Sequence, residues 1–131
     1  MQDRPTTAEL LATVADFLED ELMPALDGPL AYRTRVAANL VHILQREDAL
    51  GPASLQREHA ALCGLLDIDP NAPRSVTADQ VIDLNRRLVA AIDADQIPHA
   101  RAWPVLMEIA RGKLAIIRPG YDAWDAKEEL P

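Results

Sequence analysis

The chain has 131 residues, about what one domain requires, and its 49% hydrophobic and 26% charged residues are the proportions of an ordinary folded protein. That composition argues against a disordered or fibrous chain. Thirteen Lys plus Arg against twenty-one Asp plus Glu leave a net charge of -8, which opposes the counterion-release affinity of nucleic-acid binders and argues against anionic membrane surfaces. Cys63 is the only cysteine, so no disulfide can form within the chain, and a reducing cytoplasm is the expected compartment.

The opening Met1 to Pro5 is polar, and Thr13, Asp16, Glu19 and Asp20 interrupt the apolar stretch that follows, so no export signal is expected. No uninterrupted apolar run reaches the roughly 18 residues of a membrane-spanning helix. Ten prolines divide a chain rich in alanine and leucine, both strong helix formers, into five helix-sized pieces. The expected fold is all α: a single compact bundle of about five helices over residues 1–131, with a short acidic tail from about residue 119.

The first helix is predicted to open at Thr6, whose spacing to Glu9 is that of a capping box, and to stop near Met23 before Pro24. The second begins at Gly28 and Pro29 and ends at Gly51 before Pro52. The short connection between these two predicts an antiparallel hairpin. A third helix spans about Pro52 to Leu66, and Asp67 to Arg74 is a proline-interrupted loop. Thr77 and Gln80 form another capping box, opening a fourth helix that runs to about Ala94. The fifth starts at either Pro98 or Pro104 and ends before Pro119.

At about 100° per residue, Leu10, Val14, Phe17 and Leu18 form the stripe of the first helix, with Glu21 near its centre. Val36, Ala37, Leu40, Ile43 and Leu44 form that of the second, with Arg33 and Glu47 along its centre. The fourth stripe is cleaner, carrying Val81, Leu84, Leu88 and Ile92 with Asn85 at its side. Lys113 lies within the broad apolar arc of the fifth. Glu21, Arg33, Glu47 and Lys113 are therefore expected to face inward, where charges persist only when paired and hydrogen-bonded. Glu21 and Arg33 are expected to meet across the first hairpin. Long side chains near helix ends can also lay their stems on the core with their heads in water. Structural ion pairs are preferred over a ligand site on that ground.

Metal and catalytic motifs fail on spacing. His59 and Cys63 share a helix face, but a closed zinc site needs four ligands. The residues three before His42, His59 and His99 are Asn39, Gln56 and Gln96, which excludes the Glu-x-x-His pairs of di-iron bundles. Asp67, Asp69 and Asn71 imitate the start of a calcium loop, but Ala72 and Ala78 stand where glycine and glutamate are needed. No phosphate-binding glycine loop or nucleophile motif is present, so neither a metal nor another cofactor is expected. Arg74, Arg86 and Arg87 are read as solvated surface. Trp103, Tyr121 and Trp124 are the candidate partner contacts, because aromatic residues are enriched at interfaces.

MQDRP (Met1 to Pro5), RVAANLVHILQRE (Arg35 to Glu47) with LGPA (Leu50 to Ala53), and KLAIIRPGY (Lys113 to Tyr121) resemble a bacterial family of short helical proteins of unknown function. Genes of that family often lie beside aminoglycoside-phosphotransferase-like kinases and acyl-CoA dehydrogenases. The resemblance implies an accessory protein in acyl-CoA or phosphotransfer metabolism, by association only. The leading expectation is a non-catalytic helical module whose partner is a second copy or a metabolic enzyme. The alternative is a small-molecule or enzymatic site inside the bundle, built on Glu21, Arg33, Glu47 and Lys113.

Overall fold

A computed structural model describes residues 4–70 and 75–121, and these are helical with no strand among them. Helix α1, Thr7–Asp16, opens on the expected capping box: the Thr6 hydroxyl accepts from the Glu9 amide at 3.2 Å and the Glu9 carboxylate accepts from the Thr6 amide at 2.7 Å. It continues as a π-helical segment, Phe17–Leu22, and a 3-10 turn, Met23–Ala25, which contains Pro24. Pro24 has no N–H to continue an α-helical ladder, and the Met23 amide pairs five residues back with the Leu18 carbonyl.

Helix α2, Gly28–Leu65, is unbroken. The expected stop at Gly51–Pro52 is therefore corrected: the second and third predicted helices are one, and the described residues hold four α-helices rather than five. A proline inside a helix forfeits one hydrogen bond and crowds both the carbonyl four residues back and the residue before it; glycine has no Cβ, so at Gly51 the second of these clashes is eased and the helix runs on through Pro52.

The end of α2 is capped by a left-handed residue, Asp67 at φ 53°, and by the Ile68 amide donating to the Cys63 carbonyl at 3.0 Å. Helix α3, Ala78–Asp93, opens on the Thr77 and Gln80 capping box and ends through Asp95, also left-handed at φ 55°. Helix α4, His99–Ile117, is capped by Pro98 and carries Pro104 inside it, which decides between the two expected starts.

The chain forms two compact units, residues 1–51 and 52–131. The second has a conventional core. Leu62, Cys63 and Leu65 of α2 pack with Val81, Leu84, Leu88 and Ala91 of α3, and with Ile97 and Ala102 at the start of α4. The α3 stripe read from the sequence is thus its buried face.

The first unit is different: among its described residues, those buried with side chains are Ala15, Thr34 and Ala38, all small. Along α2, Ala31, Thr34, Ala38 and Val41 fall on the covered side, whereas Val36, Leu40 and Leu44 are 41%, 56% and 53% exposed. The expected core stripe of this segment is therefore corrected by a rotation of nearly half a turn. The alanine face is thus the covered one, and the larger leucine face is left outside. Across α1 and the π-helical segment the covered edge is Leu11, Ala15, Leu18 and Leu22, and Leu10, Val14 and Phe17 are exposed.

Candidate functional site

The four charges expected to face inward do not form one buried cluster. Glu21, Arg33 and Glu47 are exposed, and none of them makes an ion pair among the described residues. The expected Glu21 to Arg33 pair is absent. Both wheel positions were extrapolated from apolar stripes that lie outside, and the π-helical segment rotates Glu21 away from a constant 100° per residue.

Lys113 is partnered, by a residue that the sequence analysis passed over. Its Nζ donates to Glu58 Oε1 at 2.7 Å, and Asn85 Nδ2 donates to the same oxygen at 3.3 Å. The Glu58 side chain is 8% exposed, whereas that of Lys113 is 54% exposed. The carboxylate is therefore buried in the second unit while the ammonium keeps water. A signal for Glu58 exists: Leu55, Glu58, Leu62 and Leu65 recur at helical spacing, so a charge lies on that apolar stripe too. Ser54, Arg57, Ala61, Glu108, Ile109 and Gly112 line a shallow groove beside it.

Two further polar side chains, Arg101 and His42, hold helix ends and helical segments together. Arg101 Nη2 donates to the Gly64 carbonyl and to Asp67 Oδ1, both at 2.9 Å, so α4 caps the end of α2. The guanidinium bonded to Asp67 holds its carboxyl below the usual carboxylate range, and Asp67 in turn raises Arg101. In the first unit, His42 Nδ1 lies 2.7 Å from Gln45 Oε1 and His42 Nε2 lies 3.0 Å from Glu19 Oε1. An imidazole flanked by two oxygens satisfies both only when both nitrogens carry protons. The hydrogen bond to Gln45, and then that to Glu19, raises the His42 pKa above its ordinary value against the opposing effect of burial.

His59 and Cys63 approach within 3.9 Å, with Cys63 buried, along a surface depression that includes Ile68, Asp69, Asp83 and Leu84. No group of three His, Cys, Asp or Glu side chains among the described residues could hold a metal ion. No helix of the described residues is long and apolar enough to cross a membrane. Of the aromatic candidates, Trp103 is 67% exposed and Tyr121 57% exposed, the latter with the Arg118 guanidinium 4.9 Å from its ring centre. Trp124 and most of the acidic tail lie outside the described residues.

The broadest candidate surface lies in the first unit. Leu10, Val14 and Phe17 of the first helical segment and Leu30, Tyr32, Val36, Leu40, Leu44 and Leu50 of α2 are all more than two-fifths exposed. Single exposed apolar residues are normal on a protein surface, but contiguous stripes mark contact sites. The α2 residues Val36, Leu40 and Leu44, four apart, form one such stripe.

Neither the curated proteins nor the solved structures offer a match to the chain. A family model described as a domain of unknown function, DUF6285, matches residues 24–121, a span that holds all of α2, α3 and α4. With most of its length inside that match, the chain belongs to the DUF6285 family.

Proposed function

We propose that this protein is a non-catalytic helical interaction module, cytoplasmic and acidic, whose first unit completes its packing against another polypeptide. The observation that carries this reading is the contrast between the two units. The second unit buries leucine, valine and isoleucine side chains, whereas the buried side chains among the described residues of the first unit are Ala15, Thr34 and Ala38. Burying a leucine, valine or phenylalanine is worth about 1.5 to 3 kcal/mol, and half-exposed side chains forfeit much of that. A pair of helical segments that leaves its largest apolar side chains in water gains most by docking them against a second apolar face.

Trp103 and Tyr121 are proposed as a further contact region in the second unit, supported by their exposure and by the aromatic preference of interfaces. We also propose that the two units belong to one folding domain, and that the first two helical segments form an antiparallel hairpin, with the Glu19 to His42 contact as support. The resemblance to proteins encoded beside kinases and acyl-CoA dehydrogenases implies a metabolic enzyme or a second copy as the partner.

The test is thiol accessibility in living cells. Leu44→Cys, expressed at native level, is labelled with a maleimide in cells and in dilute purified protein, with buried Cys63 as the slow internal standard. Protection in cells relative to dilute protein is the expected result. Equal reactivity in both would remove the basis for an interaction role.

A further inference from the structure

We propose that the partner of the exposed α2 stripe is a second copy of this chain, docked antiparallel about a twofold axis beside Leu40. This rests on the interaction reading above and supplies its partner and register. Along the stripe, Leu40 is the midpoint. Val36 and Leu44 lie four residues to either side, Arg33 and Glu47 seven to either side, and Leu30 and Leu50 ten to either side. All seven are exposed.

On the helical wheel, Arg33 and Glu47 fall about 20° to either side of Leu40 and Val36 and Leu44 about 40°, while Leu30 and Leu50 mark the edges at about 80°. The covered residues Ala31 and Ala38 lie on the opposite side, so contact with a second copy leaves the packing of the first unit undisturbed. The whole stripe lies within the first unit and within one uninterrupted helix.

A twofold axis perpendicular to α2 at Leu40 carries each residue to the level of its counterpart across the midpoint. Leu40 then packs against Leu40 of the partner subunit. Val36 shares a layer with Leu44 of the partner subunit, and Arg33 shares one with Glu47 of the partner subunit. The charge pair occurs twice, once at each end of an apolar centre, and its members are about 21 Å apart along their own helix at 1.5 Å per residue. They cannot reach one another within one chain, and neither has an ion-pair partner among the described residues.

Parallel docking in the same register sets Arg33 against Arg33 and Glu47 against Glu47, so the stripe selects the antiparallel arrangement by charge. An unrelated apolar partner has no reason to match this inversion symmetry. An isologous dimer requires it, because the same patch must complement itself.

The test uses sedimentation equilibrium of the full chain from about 1 µM to 300 µM, a range that covers weak as well as firm dimers. The wild type is expected to form dimers within it. Leu40→Glu, an exposed position whose change should leave the far-ultraviolet circular dichroism intact, sets two carboxylates together at the axis and should weaken dimerisation about 100-fold or more. Arg33→Glu and Glu47→Arg should each weaken it about tenfold, and the charge-swapped double variant should restore it. A wild type that stays monomeric throughout, a dimer indifferent to Leu40→Glu, or a double variant no better than the two singles would overturn the proposal. A monomer in vitro whose Leu44→Cys is nonetheless protected in cells would overturn self-association and leave the interaction role standing. Absence of both effects would remove both.

Discussion

Replacing Lys113 by methionine isolates the one buried charge among the described residues of the second unit. The substitution keeps most of the aliphatic stem and removes the ammonium, so Glu58 retains a single donor, Asn85 at 3.3 Å, on a side chain only 8% exposed. Breaking a fully buried ion pair from one side costs about 3 to 5 kcal/mol, most of it the penalty of leaving the other charge uncompensated. Here the lysine head is itself 54% exposed, so water already weakens the attraction and can follow into its place. A loss of about 1.5 to 3 kcal/mol is the resulting expectation. Spread over a chain of this size, that lowers the melting temperature by about 5 to 12 °C.

Urea unfolding followed by circular dichroism at neutral pH measures the loss directly. Glu58→Gln should cost less, about 1 kcal/mol, because a neutral amide can still accept from Asn85 and Lys113. The double variant Glu58→Met with Lys113→Met should recover much of the single-variant loss, since an apolar pair of similar volume needs no compensation. A Lys113→Met protein within about 0.5 kcal/mol of the wild type would refute the idea that this ammonium holds the buried carboxylate.

Three further outcomes follow from the contacts. His42 binds its proton more tightly folded than unfolded, so its contribution to stability is complete below the ordinary histidine pKa and is lost as pH rises through the higher folded value. Glu19→Gln should shrink that rise, as read from the imidazole resonances across a pH titration. Asp67 has the opposite sign: its contribution is present above the ordinary carboxylate pKa and disappears as pH falls through the depressed folded value. Arg101→Ala should return the Asp67 carboxyl to the ordinary range in the same kind of titration. Asp95→Gly should stabilise by up to about 1 kcal/mol in urea unfolding, because glycine adopts the left-handed backbone that Asp95 holds at φ 55° without steric penalty.

How much was legible varied with what the local pattern encodes. Both capping boxes, at Thr6 and Thr77, are local in sequence and were readable, as was the α3 stripe, where the apolar Val81, Leu84 and Leu88 are the most buried residues. The face of α2 was not readable from hydrophobicity. That helix carries an alanine-rich face and a leucine-rich face, and the wheel favours leucine although the alanine face is the covered one. Three of the four inward charges were then placed on faces that lie in solvent. The Gly51–Pro52 pair was misread because proline usually ends a helix, whereas here the missing Cβ of glycine eases part of the crowding and the helix runs through. Glu58 was missed although its spacing from Leu55 and Leu62 marks it by the same criterion that selected Lys113. The pairing itself joins residues 55 positions apart, which no local pattern contains.

Hydroxyl-radical footprinting of Val36, Leu40 and Leu44 across a dilution series shows whether the α2 face is open in the single chain and covered by association. These three side chains are expected to be oxidised readily in dilute protein, while Leu62, with no exposed surface, stays protected throughout. Their protection is then expected to rise together with protein concentration as the α2 faces meet. Leu40 protected as fully as Leu62 at the lowest concentration would mean that this face already belongs to the core of a single chain, and would contradict the account.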